Sequence, residues 1–219
     1  MFGAFAVIEV GRAVWNAPPM PLLYGALAAF AIGFAFYRWQ LYFPEIRKLR
    51  LAADGEKAVG QFLEQLRGSG YSVFHDIPAD GFNIDHVLVG PSGVYTVETK
   101  TWSKPRRGRA EISFDGHRVL VNGRTPDRNP IVQARAQATW LSAEIEGWLG
   151  KRPLVKPIVL FPGWWIESTE GSFRDIWVLE PKALPKFLEK ESSQLSEEQV
   201  RSMSYHLSRY VRTFSPTSG

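Results

Sequence analysis

The sequence predicts an α/β domain that is preceded by one membrane-spanning helix. From residue 54 onward, segments with the alternation of a β-strand and segments with helical spacing follow one another. Ahead of them, the 25 residues between Arg12 and Arg38 carry no charge. The composition is 45% hydrophobic and 22% charged, which is typical of a globular protein and not of a disordered one.

The charge-free stretch, residues 13–37, is long enough for a transmembrane helix. About 20 mostly apolar residues are needed to cross the hydrocarbon layer. Pro18, Pro19 and Pro21 place the start of the helix near Met20, because proline is tolerated only at the beginning of a helix. Aromatic side chains suited to the membrane interfaces stand near its ends: Trp15, Tyr24, Tyr37 and Trp39.

Basic residues after this stretch predict its orientation. Those residues are Arg38, Arg47, Lys48 and Arg50, and they are opposed by the single acid Glu45. Under the positive-inside rule, this bias places the C-terminal part in the cytoplasm and makes the protein single-pass. A cleaved signal peptide and a buried core helix are the alternatives. The apolar region of a signal peptide would be shorter, and its positive charge would come first.

Charge and cysteine content narrow the classes of function. The chain has no cysteine, which excludes disulfides, thiolate metal ligands and a cysteine nucleophile. Its net charge of +4 and pI near 9.4 are compatible with nucleic acid or an anionic membrane surface as a partner. Neither value indicates an oligomeric state.

Turn and capping residues delimit the remaining elements. Residues 38–53 are predicted as a basic helical connector interrupted at Pro44, followed by a helix that Asp54 caps and the GSG glycines end. A strand at 71–77 and a hairpin around residues 90–93 come next. The later elements are a hairpin with a two-residue Asp115-Gly116 turn, a helix capped by Asn129 and ended by Gly150, strands at 155–162 and 175–181, and a final helix with a Ser196–Gln199 capping box.

Charged residues inside the first hairpin predict a cation site. If the GPSG loop has four residues, Val89 pairs with Val94, and Asp85 then falls opposite Glu98 on the same face. Cross-strand Cβ atoms lie about 4.5–5.5 Å apart, so the two carboxylates repel each other and Lys100 offsets this only in part. Mg²⁺, which prefers oxygen ligands, is the more natural partner, with Lys100 beside its bound water. The alternative is a solvated, charged outer face.

Two helical residues are placed to join this site. Glu56 lies at the margin of the helix face that carries Val59 and Leu63 and that should pack on the sheet. Its alternative role is that of a carboxylate stabilised by the helix dipole. Gln133 occupies a similar place in the later helix, where the alternative is an ordinary solvated side chain.

Three blocks, taken together and in order, resemble the nuclease-related domain family (NERD). They are GEKAVGQFLEQL, IDHVLVGPSGVYTVETKTW and NPIVQARAQ, and the resemblance covers residues 54–162. The family is assigned to the PD-(D/E)xK superfamily. The resemblance therefore implies a restriction-endonuclease-like α/β core, in which a mixed sheet of antiparallel-connected strands and a later strand is flanked by helices.

The resemblance also implies which residues form the site. Asp85 matches the metal-binding aspartate, and Glu98 and Lys100 match the E-x-K pair. Glu56 matches the acidic residue of the first helix, and Gln133 matches the glutamine of the later helix. The implied metal ligands are Asp85, Glu98 and Glu56, and the implied cofactor is Mg²⁺, with Mn²⁺ as a substitute.

The chain departs from the family pattern in two places. Ile84 precedes Asp85, so the P-D dipeptide is absent. After ETKTW, the run SKPRRGRAEI is richer in basic residues than the short glycine-containing run of the family. Its candidates for contacts to a nucleic-acid backbone are Lys104, Arg106, Arg107 and Arg109, with a solvated loop as the alternative.

Together these patterns predict a membrane-anchored, metal-dependent endonuclease that hydrolyses nucleic acid, with DNA as the expected substrate. The alternatives are a non-catalytic nucleic-acid-binding module and a scaffold tethered to the membrane. His86 is assigned to packing. Trp164 and Trp165 are assigned to domain packing or a membrane-proximal contact, with base stacking as the second interpretation. The expected organisation is a transmembrane segment over residues 1–40, a connector over 41–53, the nuclease-related domain over 54–180 and a helical C-terminal extension over 181–219.

Overall fold

The computed structural model describes residues 10–15, 21–105, 107–169, 171 and 173–214. The chain divides after Arg47 into two compact units. The described strands and the later helices all belong to the second unit, and the first long helix contributes to both.

Helix α1 spans Pro21–Leu63, 43 residues without a break. The predicted interruption at Pro44 and the predicted cap at Asp54 are both wrong, because each residue lies inside the helix. Pro44 removes one backbone hydrogen bond, but the helix-forming run EIRKLRLAA that follows continues the helix past it. By length and composition the N-terminal part of α1 can cross a membrane. The residues predicted to set its start, Pro18, Pro19 and Met20, lie outside the described part of the chain.

The main sheet is mixed and has five strands. They are β1 (Ser72–Ala79), β2 (Phe82–Gly90), β3 (Gly93–Thr99), β6 (Val155–Leu160) and β8 (Trp177–Leu179). Their order across the sheet is β1-β2-β3-β6-β8. The first three strands are antiparallel neighbours, whereas β6 runs parallel to β3 and β8 parallel to β6. This arrangement, with the helices on both faces, confirms the predicted α/β class.

The hairpin of β2 and β3 has the predicted register. Val89 pairs with Val94, and the ladder extends to a further pair, Gly90 with Gly93. The connecting turn is therefore Pro91-Ser92 alone rather than four residues. Gly93 makes this possible because its φ of 136° is unfavourable for residues with a side chain.

Helices cover both faces of the main sheet. One face packs against the C-terminal part of α1, through Val59 and Leu63, and against the short helix α3 (Leu184–Leu188). The other face packs against α2 (Pro130–Leu149) and α4 (Glu197–Thr213). The predicted caps of α2 and α4 are confirmed: the Asn129 side chain accepts from the amide of Ile131, and Ser196 and Gln199 form the capping box. Short 3-10 helices occupy Glu64–Ser69 and Pro181–Ala183.

A second, three-stranded sheet has the order β5-β4-β7, where β4 is Glu111–Phe114, β5 is Val119–Val121 and β7 is Trp165–Ser168. Four residues separate β4 from β5, not the predicted two, because Phe114 pairs with Val119. The Asp115 carboxylate accepts hydrogen bonds from the backbone amides of His117 and Arg118 and so stabilises the longer turn. Strand β7 was not predicted, since four residues are too few to display an alternation.

Candidate functional site

The ladder between β2 and β3 ends at the pair His86–Val97, one step before the predicted pairing of Asp85 with Glu98. Beyond this point the backbone amide of Thr99 donates to Oδ2 of Asp85 at 2.7 Å. A side-chain carboxylate thus accepts the hydrogen bond that a strand carbonyl would otherwise accept. The prediction of a directly opposed backbone pair is therefore not met, although Asp85 lies close enough to Glu98 for the charge of Glu98 to raise the pKa of Asp85.

Glu98 is a buried acid whose two carboxylate oxygens each accept a hydrogen bond. The residue is only 3% exposed. Its Oε1 accepts from the Lys100 ammonium at 2.5 Å, and its Oε2 accepts from Nε2 of Gln137 at 2.6 Å. A buried carboxylate is tolerated only when it is paired or well hydrogen-bonded, and these two donors meet that condition on either side of the group.

Lys100 connects the sheet to helix α2. Its ammonium donates to Oε1 of Gln133 at 3.0 Å as well as to Glu98. Its backbone amide donates to the carbonyl of Leu160 at 2.8 Å, which ties the end of β3 to β6. Gln133 reaches the ammonium because Asn129 and Pro130 begin α2 one turn earlier. The structure therefore brings both Glu98 and Gln133 into contact with the Lys100 ammonium.

Gln137 belongs to the site but was not identified from the sequence. It is 1% exposed, and its Nε2 also donates to the carbonyl of Asn83 at 3.2 Å. One signal was available: Gln137 follows Gln133 by one helical turn and lies on the apolar face that includes Ala138 and Leu141. An amide on such a face must find a buried partner, and here the partner is a carboxylate.

Glu56 approaches the site from helix α1. The preceding Gly55 packs so closely on Thr101 that any side chain at position 55 would overlap the threonine hydroxyl. The helix therefore contacts the chain directly after Lys100, and Glu56 is held half-buried at this contact. Burial raises the pKa of Glu56, and the nearby charges of Asp76 and Glu98 raise it further.

Asp85 is the carboxyl group of the site whose pKa is raised the most. Burial, followed by the charge of Glu98, raises the pKa of Asp85 to about 7, and Glu56 adds to this effect. The Thr99 amide and the Lys100 ammonium oppose the shift without cancelling it. The negative charge of Asp85 is therefore disfavoured where it stands, and an added cation or a proton would stabilise this carboxyl group.

The donor set fits a hard divalent cation that keeps much of its own hydration. Within the described ranges, no group of three or more His, Cys, Asp or Glu side chains is arranged to hold a metal. Mg²⁺ is commonly bound by only one or two carboxylates, with water and substrate phosphates completing the shell. Asp85 and Glu98 supply such oxygen ligands, and the burial of Asp85 beside the charge of Glu98, which raises the pKa of Asp85, favours a cation there.

His86 packs under α1. It is 2% exposed, and its Nδ1 lies 2.9 Å from Nδ1 of His75, whose Nε2 lies 2.8 Å from Oε1 of Glu64. Burial, and then the neighbouring His75, lowers the pKa of His86 to about 4. A neutral imidazole packed under a helix agrees with the packing interpretation of this residue. A cleft of about 720 Å³ opens beside it and is also lined by Glu56 and Asp76.

The basic run lies on a segment that leaves the site after Lys100. The Lys104 side chain lies over Gly163, and the Arg109 guanidinium lies 3.7 Å from the centre of the Trp165 ring. Arg107 is exposed, and Arg106 lies outside the described residues. The two tryptophans differ: Trp164 is buried in the core, whereas Trp165 is 53% exposed. The packing interpretation therefore holds for Trp164 alone.

A family model described as "Nuclease-related domain" (NERD) matches residues 51–162, just over half of the chain. The matched region runs from the second half of α1 to the end of β6 and contains every residue of the acidic site, including Gln137. It ends before β7. No curated protein and no solved structure matches the chain.

Proposed function

Because the chain belongs to the nuclease-related domain family, we propose that it is a metal-dependent nuclease that hydrolyses phosphodiester bonds of nucleic acid. One observation carries the proposal: at the end of one hairpin the Lys100 ammonium contacts the Glu98 carboxylate, and the charges of both act on the neighbouring carboxyl group of Asp85. This combination can hold a cation and also stabilise an anionic transition state. DNA is the expected substrate.

Asp85 and Glu98 would hold Mg²⁺, or Mn²⁺ in its place, and Glu56 would complete or support the site. When bound, such a cation lowers the pKa of a coordinated water and neutralises charge on a phosphoryl oxygen. The carboxylate of Glu98 must be correctly oriented for this role. Gln137 serves that purpose, because it donates to Oε2 and leaves the other oxygen to face Lys100.

Lys100 would act on the substrate itself. Its half-buried ammonium is held between Glu98 and Gln133, so it is oriented before any substrate arrives. An oriented cation in a partly desolvated site stabilises negative charge as it develops on phosphoryl oxygens. It can also help to orient the attacking water. Gln133 has a positioning role, because it fixes the ammonium through Oε1.

The protein would contact nucleic acid through its basic run and a membrane through α1. The run Lys104, Arg106, Arg107 and Arg109 would contact the nucleic-acid backbone beside the site. The apolar part of α1 would anchor the protein as a single-pass membrane protein with its C-terminal domain in the cytoplasm. The proposed organisation keeps residues 1–40 as the anchor, 41–53 as the connector, 54–180 as the nuclease-related domain and 181–219 as its extension.

The proposal is tested with the full-length chain in detergent, incubated with Mg²⁺ and with duplex and single-stranded DNA and RNA. Wild type should cleave at least one of these and should stop when EDTA removes the metal. The Glu98→Gln variant should lose cleavage, whereas Glu191→Gln, which alters an acid paired with Lys156 away from the site, should retain it. Absence of cleavage of every substrate, together with absence of Mn²⁺ binding, would contradict the proposal.

Gln137→Leu is expected to weaken the binding of Mn²⁺ about 10- to 100-fold, the usual cost of losing a residue that orients a metal ligand. The physical reason is that Oε2 of Glu98 and the carbonyl of Asn83 both lose their donor inside the protein. Isothermal titration with Mn²⁺ measures the effect. Gln61→Leu, on α1, is the control and should bind as wild type does. Unchanged affinity in Gln137→Leu would remove Gln137 from the site.

A further inference from the structure

The segment that joins Lys100 to the helix carrying Gln133 contains much of the basic charge of the protein. Residues 101–129 start directly after Lys100 and end at the cap of the helix that carries Gln133. They contain seven Lys or Arg and three Asp or Glu, a net charge of +4 that equals the net charge of the whole chain. If one phosphate of a polyanion occupies the site, the phosphates next to it would therefore contact this basic segment.

One large aromatic side chain stands exposed on the same region. In the described part of the chain after residue 48, Trp165 is the only tryptophan that is more than half exposed. The Arg109 guanidinium lies 3.7 Å from the centre of its ring, so the indole is restrained by a cation–π contact. An exposed indole held in place beside a cation is the arrangement with which proteins stack an unpaired base.

Backbone hydrogen bonds hold the main chain of Trp165 close to the segment that leaves the site. The amide of Lys100 donates to Leu160, and the amide of Trp165 donates to Ala110 at 2.9 Å. Two chain segments, residues 100–110 and 160–165, are thus joined at both ends. Five residues span at most about 18 Å, so Trp165 lies within that distance of Leu160. At the duplex-strand rise of about 3.4 Å per nucleotide, this upper limit corresponds to at most about five nucleotides.

We infer that Trp165, restrained by Arg109, stacks on an unpaired base of the substrate, so that the site takes nucleic acid with a single-stranded segment next to the scissile phosphate. The inference rests on the proposed function and specifies its substrate class. In a continuous duplex every base is paired inside the helix, and its face is not available to an indole. The contact would therefore distinguish an unpaired strand from a blunt duplex.

The test measures the binding of a labelled 20-nucleotide single strand and of its blunt duplex to the full-length chain in detergent, with EDTA present to prevent cleavage. Trp165→Leu should weaken binding of the single strand about 10- to 100-fold and that of the blunt duplex less than about twofold. Trp165→Phe should restore most of the affinity, because phenylalanine also stacks. Tyr205→Leu removes an equally exposed aromatic side chain from α4 and should leave both affinities unchanged.

Salt dependence separates stacking from charge. Trp165→Leu should leave the slope of log affinity against log salt unchanged, whereas Arg107→Gln should reduce it by about 0.7 for a single strand if Arg107 contacts one phosphate. Equal losses for single strand and duplex, or no loss for either while cleavage persists, would overturn the inference and leave the proposed function standing. Failure of wild type to bind or cut any nucleic acid would overturn both.

Discussion

Lys100→Met is expected to reduce cleavage of nucleic acid about 10²- to 10⁴-fold, the range found when an oriented acid, base or cation is removed from an active site. Methionine preserves an unbranched apolar side chain and removes only the ammonium. The loss should appear in kcat rather than KM, because the ammonium is held by Glu98 and Gln133 for the transition state and not for ground-state binding.

A matched control lies elsewhere in the same domain. The ammonium of Lys156 pairs with Glu191 at 3.2 Å, and its side chain is 17% exposed, against 23% for Lys100. Lys156→Met therefore removes a comparable half-buried ion pair and should have a similar effect on stability, but it should leave cleavage nearly unchanged. If both variants lose the same activity, the effect comes from destabilisation and Lys100 has no direct role.

The loss of cleavage in Gln133→Ala should lie between the large loss expected for Lys100→Met and the near absence of loss expected for Lys156→Met. It frees one side of the ammonium but leaves Glu98 in place, so Lys100 keeps its charge and loses part of its orientation. An intermediate loss in kcat would assign Gln133 a positioning role, whereas a loss as large as that of Lys100→Met would indicate that the amide itself touches the substrate.

The parts of the candidate site that depend on local sequence patterns were predicted. Alternation fixed the register of β2 and β3, because a shift of one residue would have moved Val87 and Val89 away from the core. Capping chemistry placed Asn129, and with it Gln133. These features depend on a few neighbouring residues, so a single sequence displays them.

Features that depend on tertiary contacts could not be predicted. The ladder ends before Asp85 because a side chain competes with the backbone for the Thr99 amide, and alternation alone cannot reveal that competition. Asp54 has the chemistry of a cap, yet the preceding run of helix formers carries α1 through it. The position of Gln137 on the apolar face of α2 indicates a buried amide, but its partner Glu98 is 39 residues away and is not indicated by any local pattern.

Asp85→Asn is expected to stabilise the metal-free protein at pH 8 while abolishing its response to Mg²⁺. Burial and Glu98 raise the pKa of Asp85 from 3.8 to about 7 in the folded state. A carboxyl group with a raised pKa contributes stability below its unfolded pKa and loses that contribution as pH rises to its folded pKa. The wild type should therefore lose about 2–4 kcal/mol of unfolding free energy between about pH 4 and pH 7.

Asparagine removes this loss, because it cannot ionise and can still accept the Thr99 hydrogen bond through its amide oxygen. At pH 8 without metal, the Tm of Asp85→Asn should exceed that of wild type by roughly 5–15 °C. Added Mg²⁺ should raise the Tm of wild type and leave that of the variant unchanged. Thermal unfolding of the full-length chain in detergent, with and without EDTA, measures both effects.

Asp115→Asn is the control, because the pKa of Asp115 is shifted in the opposite direction. Hydrogen bonds from the amides of Arg118 and His117 lower the pKa of Asp115, so its negative charge is favourable and removing it should not stabilise the protein. If Asp85→Asn also fails to stabilise at pH 8, the charge of Asp85 is already compensated by groups within the chain. The electrostatic reason for a cation between Asp85 and Glu98 would then disappear, and with it the basis for metal-dependent hydrolysis at this site.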